Sequence, residues 1–112
     1  SRAAQYAFDA ASYERSQIEE TLTRDADLYY EQLQFAQTRY RSAITETEIA
    51  RANFALAESQ HRDGVLGANR FLEITADLNS AEALLAVSLA DYHLALSAYY
   101  YAIGSENLRR GL

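Results

Sequence analysis

The feature that most constrains this chain is a long stretch without a helix breaker. From residue 3 to residue 60 the sequence contains neither glycine nor proline. Proline is absent from the whole chain, and the glycines fall at Gly64, Gly67, Gly104 and Gly111. Because glycine and proline punctuate helical patterns, this distribution predicts a long helix, a tight turn, a second helix and a short tail.

These breakers give approximate bounds for each element. The predicted elements are a helix at 3–62, a turn at 63–68, a helix at 69–103 and a C-terminal tail at 105–112. We expect an all-α fold in which the two helices form a long antiparallel hairpin, a coiled coil with one long and one shorter helix, within residues 1–104.

Apolar residues in both helices alternate steps of three and four, which is the spacing of a coiled-coil seam. In the first helix the seam comprises Leu22, Ala26, Tyr29, Leu33, Ala36, Tyr40, Ala43, Thr47, Ala50, Phe54 and Ala57. In the second helix it comprises Phe71, Ile74, Leu78, Ala81, Leu85, Ser88, Tyr92, Ala95, Tyr99 and Ala102. Small residues in such a seam let two helix backbones approach closely.

A second row at intervals of seven accompanies each seam. On the first helix it comprises Leu28, Phe35, Ser42, Ile49 and Leu56, and on the second it comprises Leu89, Leu96 and Ile103. A polar row is assigned to the opposite side of the first helix: Asp25, Gln32, Arg39, Glu46, Asn53 and Gln60. An apolar surface wider than one seam indicates that each helix contacts more than one neighbour.

The two predicted helices differ in length. At 1.5 Å per residue the first would run roughly 90 Å and the second roughly 50 Å. The second helix would therefore leave residues 3–25 without a partner in this chain, although Tyr6, Phe8 and Tyr13 lie there. We expect the chain by itself to self-associate and bury the region from Tyr6 to Leu28.

Composition argues against several kinds of function. The net charge is -6, whereas a nucleic-acid partner requires a positive surface. The chain has no cysteine, which removes disulfides and thiolate chemistry. Its acidic residues are spread along the helices and are typical of a solvated polar surface.

No residue pattern predicts catalysis, a metal site or a cofactor. His61 lies next to the turn and His93 lies towards the far end of the second helix, and neither has the Glu-x-x-His or His-x-x-x-His spacing of a helical metal site. We interpret His61 as a polar residue at the turn and His93 as a helical position that faces solvent or a lumen. No carboxylate pair has the apolar setting that would make one of them an acid catalyst.

Several short motifs occur at fixed spacing over residues 2–104. They are Arg2-Ala3-Ala4-Gln5-Tyr6, His61-Arg62-Asp63-Gly64, Phe71-Leu72-Glu73-Ile74, Asp91-Tyr92 and Ala102-Ile103-Gly104. Together they resemble the C-terminal hairpin of the TolC family of outer-membrane efflux proteins. Each motif is weak alone, and the constant spacing carries the resemblance.

The resemblance implies a location and a set of partners. Members of this family are homotrimers that combine a β-barrel with a helical tunnel through the periplasm, so a longer parent chain in the cell outer membrane is implied. The implied adaptor-docking tip is Asp63, Gly64, Val65 and Leu66. That tip would meet a periplasmic adaptor protein, which links the channel to an inner-membrane transporter.

This chain departs from the family pattern around the tunnel entrance. His61 replaces the tip aromatic, Asp63 stands where an apolar residue is usual, and Leu66 stands where a basic residue helps close the entrance. Glu73 matches one position of the family's acidic ring, but Arg70 stands at the other. We take Arg70 and Glu73 as entrance and lumen candidates, and their i, i+3 spacing predicts an ion pair.

A soluble coiled-coil scaffold or adaptor hairpin is the alternative interpretation. Heptads and a turn fit it equally well. A scaffold has no need of a second apolar row on each helix, whereas a closed tunnel requires one.

Overall fold

A computed structural model describes residues 1–111 as two α-helices joined by a tight turn. Helix α1 spans Arg2–Arg62 and helix α2 spans Ala68–Arg110. Within residues 1–111 there is no β-strand. The predicted all-α antiparallel hairpin, with one long and one shorter helix, is confirmed.

The turn is built by a glycine cap on α1. Gly64 has a φ of 77°, which is strained for any residue with a Cβ. The N–H of Val65 donates to the carbonyl oxygen of Gln60 at 2.8 Å, and the N–H of Gly64 donates to that of His61 at 3.1 Å. This pair of bonds is the Schellman motif that commonly ends a helix. The carbonyl of Gly67 then accepts the N–H of Phe71 at 3.1 Å and starts α2.

The predicted end of the second helix at residue 103 is wrong. Helix α2 continues through Gly104 to Arg110, so residues 105–110 of the predicted tail are helical, and residue 112 lies outside the described residues. A glycine inside a helix costs only about 1 kcal/mol relative to alanine. Contacts beyond it offset that cost, because Glu106 accepts a hydrogen bond from the Thr23 hydroxyl at 3.3 Å and pairs with Arg110 at 2.7 Å.

The described chain forms two compact units. In the first, which we call the turn unit (Phe35–Leu94), the predicted seam is buried or half-buried throughout. Its most enclosed side chains are small: Ala43 and Ala57 are 2% exposed, Ser88 is 2% exposed and Thr47 is 1% exposed. The Thr47 hydroxyl lies 2.7 Å from the carbonyl oxygen of Ala43 and 3.2 Å from that of Ala81. The second distance joins α1 to α2, so the small residues do bring the two backbones close together.

Large seam residues fill the space between these close approaches. The rings of Tyr40 and Tyr92 stack with centroids 6.0 Å apart, and those of Phe54 and Phe71 lie 5.7 Å apart. Aromatic pairs at this separation add roughly 0.5–1.5 kcal/mol beyond the area that they bury. The alternation of large and small residues therefore sets the register of the turn unit.

The second unit, which we call the terminal unit, combines Ser1–Gln34 with residues 95–111. Ala26 and Ala102 are buried in its seam, and the rings of Tyr30 and Tyr99 lie 5.5 Å apart. The cross-helix hydrogen bond nearest the start of α1 is the one at Thr23. Because α2 is longer than predicted, the uncovered part of α1 ends near residue 21 and not at residue 25.

Candidate functional site

The predicted adaptor-docking residues lie together on the turn. Asp63 and Val65 are exposed, and Val65 is 77% exposed. Leu66 is half-buried, and its N–H donates to the carbonyl oxygen of Gln60 at 3.1 Å. The glycine cap at Gly64 thus fixes the backbone of Val65 by hydrogen bonds and leaves its apolar side chain exposed at the tip. Such a surface can bind another protein.

His61 has a structural role that the sequence interpretation missed. Its ring stacks on Phe71 with centroids 4.7 Å apart and planes inclined by 6°. Its Nδ1 lies 2.9 Å from the carbonyl oxygen of Leu66, so that nitrogen carries a proton and donates it. His61 therefore connects the C-terminal end of α1 to the turn between the helices, through Leu66, and to α2, through Phe71. The signal available in the sequence was that Phe71, the first seam residue of α2, must face the end of α1.

Arg70 and Glu73 form the ion pair that their spacing predicts. Arg70 Nη1 lies 2.9 Å from Glu73 Oε2, and both side chains are more than half exposed. Exposed pairs of this kind contribute at most about 1 kcal/mol. The pair places opposite charges on the surface next to the tip.

The second apolar row of α1 is exposed. In the turn unit Phe35 is 66% exposed, Ile49 is 56% exposed and Leu56 is 60% exposed, although the seam beside them is covered. In the terminal unit Leu28 is 49% exposed. The row therefore lies outside the seam and is not covered by α2, as expected for a surface that requires another neighbour.

On α2 the most exposed apolar row differs from the predicted one. Leu89 is 37% exposed, and Leu96 and Ile103 are half-buried at the edge of the seam. A row that the sequence interpretation missed is more open, and it comprises Val87, Leu94, Tyr101 and Leu108. Its members follow one another at intervals of seven, which is the signal in the sequence that identifies the row.

The polar row of α1 was predicted to lie opposite the seam, and this prediction is wrong. Arg39 pairs with Asp91 of α2 at 4.0 Å, and Gln60 is half-buried. This row borders the seam, because residues seven apart share one side of a helix and Glu46 follows Arg39 at that interval. It separates the seam from the exposed apolar row and forms the wall of a groove.

That groove runs between the two helices within the turn unit and has a volume of about 310 Å³. Ile49 and Leu56 line it on the α1 side, and the half-buried Ile74 lines it on the α2 side. Glu46 and Asp77 stand at its polar edges. It is an open surface groove that can accept a protein segment.

Among residues 1–111 no group of three or more histidine, aspartate or glutamate side chains is placed to hold a metal ion. Neither helix of that range has a stretch long and apolar enough to cross a bilayer. Comparisons with family models, curated proteins and solved structures found no match to this chain.

Proposed function

We propose that this chain is a wall segment of the periplasmic tunnel of a trimeric outer-membrane channel for efflux or type I secretion. The observation that carries the proposal is the exposed apolar row of α1, including Phe35, Ile49 and Leu56, which persists after α2 has covered the seam. A closed ring of helices supplies a second neighbour for such a row, whereas a lone hairpin does not. The spacing of motifs over residues 2–104 supplies the family.

The turn is proposed to dock a periplasmic adaptor protein, which connects the channel indirectly to an inner-membrane transporter. Val65 supplies an exposed apolar contact, and His61 and Gly64 fix the backbone that presents it. A rigid apolar tip binds with a small loss of conformational entropy, which favours protein docking.

The proposed mechanism is passive conduction without a catalytic step or a cofactor. The entrance would open when inner helices shift relative to outer ones, and Arg70 and Glu73 would lie at that entrance. Replacing Arg70 by aspartate in the parent channel breaks the pair with Glu73 and adds negative charge, so conductance and ion selectivity should change. Unchanged conductance and selectivity would remove Arg70 from the entrance.

A crosslinking experiment tests the function directly. The chain has no cysteine, so Val65→Cys introduces a single thiol into this segment of the parent protein, from which any other cysteine is removed. A thiol-reactive photocrosslinker in intact cells should then capture a periplasmic adaptor. The matched control is Glu48→Cys, an exposed mid-helix position that should capture no adaptor.

The alternative function, a soluble scaffold or adaptor hairpin, predicts a different adduct. A cytoplasmic protein captured at Val65, or no protein at all, would favour the scaffold and contradict the channel wall. The exposed turn serves both functions, so the identity of the captured protein decides between them.

A further inference from the structure

We propose that the groove of the turn unit binds a third α-helix that presents apolar side chains flanked by basic residues. The partner is defined by its chemistry, a basic amphipathic helix. The inference rests on the proposed function, because Ile49 and Leu56 belong to the exposed row that a neighbouring helix is proposed to cover, and it adds the chemistry of that neighbour.

The apolar contacts for such a helix are already in place. Ile49 and Leu56 are seven residues apart on one side of α1 and are 56% and 60% exposed. The polar Asn53 lies between them and Ala57, which is 2% exposed, and Ile74 lines the groove on the far side. Two large side chains beside a small one form a recess that accepts the ridge of another helix.

The exposed apolar row of α1 is long enough to contact another helix along several turns. Phe35 belongs to the same row and lies 21 residues before Leu56, which corresponds to roughly 30 Å along an α-helix. The Arg39 guanidinium lies 5.8 Å from the centre of the Phe35 ring, and Arg39 also pairs with Asp91 on α2. The side that carries the groove therefore continues across the turn unit, further than a small molecule would reach.

The charges at the groove edge favour a basic partner. Glu46 and Asp77 both line the groove, and neither forms an ion pair with another of residues 1–111. Arg70 also lines it, but Glu73 offsets its charge at 2.9 Å. Two carboxylates without a cation leave the edge negative, and complementary charge on the partner fixes orientation and suppresses wrong partners.

On the side of the turn unit opposite the groove, charged residues of the two helices are paired with each other. There Arg51 pairs with Glu82 across the two helices at 3.4 Å. That contact already satisfies both charges between the helices. Leu72 is a similarly exposed apolar side chain, at 62%, that does not line the groove. It provides a matched control for Leu56.

Binding of a designed helix tests the groove. The probe is a fluorescent synthetic peptide about five turns long, with leucines at steps of three and four and arginines on either flank. Its comparator carries glutamate in place of every arginine. Fluorescence anisotropy with the full chain should show saturable binding of the arginine peptide, with the glutamate peptide at least roughly tenfold weaker.

Paired variants locate the binding surface. The double variant Ile49→Ser/Leu56→Ser should weaken binding of the arginine peptide at least roughly tenfold, whereas Leu72→Ser should leave it unchanged. Glu46→Gln/Asp77→Asn should weaken binding and reduce its dependence on salt, and the exposed control Glu48→Gln/Glu58→Gln should not. Unchanged helical content by circular dichroism separates lost binding from unfolding, because all of these positions are on the surface.

Several results would overturn the inference: no saturable binding, equal binding of both peptides, or the same loss from Leu72→Ser. Sedimentation that shows a dimer broken by Ile49→Ser/Leu56→Ser would also overturn it, since the occupant would then be a second copy of this chain. None of these results bears on crosslinking at Val65, so the groove and the channel wall can fail separately.

Discussion

The α1 residues of the turn unit and the first twenty or so residues of α1 belong to one continuous helix but differ in what covers them. In the turn unit Ala43, Thr47 and Ala57 are almost completely enclosed by α2. Near the start of α1 the aromatic side chains of Tyr6, Phe8 and Tyr13 are 67–69% exposed. The helix-forming residues are similar in both regions, so the difference comes from whether a second helix is present.

This comparison separates helix formation from helix stability. The absence of breakers makes both regions helical, but most of the stability of a helix comes from packing an apolar side against a neighbour. The seam of the turn unit has its neighbour within the chain. The start of α1 has aromatic residues suited to such packing, but no helix of the described chain packs against them.

The largest expected effect comes from placing a charge in the covered seam. Ala43→Asp should lower the free energy of unfolding by more than about 3 kcal/mol, because a carboxylate at a position with 2% exposure has neither water nor a partner. Urea unfolding followed by circular dichroism measures the change. Ala52→Asp, on the exposed side of the same helix, should cost less than about 1 kcal/mol, and equal losses at the two sites would contradict the seam.

The next effect concerns the turn. Gly64→Ala should destabilise the hairpin by about 1–2 kcal/mol, because an L-residue is strained at a φ of 77°. No neighbouring atom lies within 4 Å of a Cβ added there, so backbone strain is the whole cause. Gly67→Ala is the control, since Gly67 has equal space but no positive φ, and it should change stability by less than about 0.5 kcal/mol. A larger effect at Gly67 would place the critical cap at α2 instead.

A smaller effect tests the close approach of the two helices. Thr47→Val keeps the side-chain shape but removes the hydroxyl near the carbonyl oxygens of Ala43 and Ala81, so it should cost about 1 kcal/mol. Thr45→Val removes a hydroxyl that bonds only to Arg41 of its own helix, on an exposed side. Thermal unfolding of the two variants should therefore differ, with the midpoint of Thr45→Val staying close to that of the parent sequence.

The smallest effect on stability is expected at the uncovered region. Tyr6→Ser/Tyr13→Ser should change the free energy of unfolding by less than about 0.5 kcal/mol, because both side chains are already solvated. The same variant should reduce self-association of the chain, which light scattering at high concentration measures. A parent chain that stays a clean monomer at high concentration would contradict self-association through this region.

The sequence predicted the seam well because every seam position repeats the same constraint. All the seam residues from Leu22 to Ala57 and from Phe71 to Ala102 are buried or half-buried. The end of α2 was predicted wrongly because Gly104 was treated as a breaker, whereas Glu106 and Arg110 make contacts that only the folded hairpin supplies.

The candidate surfaces were less predictable for a related reason. The tip residues could be placed from the glycines alone, but the stacking of His61 on Phe71 depends on how two distant residues meet. The groove likewise depends on which row borders the seam. A spacing of seven identifies a row but does not give its angle from the seam, so the polar row that includes Glu46 was placed on the wrong side.

The central claim is that the exposed apolar row of α1, which includes Leu56, is covered in the assembled protein. Leu56 and Leu72 allow a direct test, because they are 60% and 62% exposed in this chain and the sequence has no cysteine. The measurement is the rate at which a membrane-permeant maleimide labels Leu56→Cys and Leu72→Cys, in the isolated chain and in intact cells that make the parent protein. We predict equal rates in the isolated chain and at least roughly tenfold slower labelling at position 56 in cells, as expected for a surface that excludes water. Equal labelling of the two positions in cells would show that the row stays open and would contradict the account.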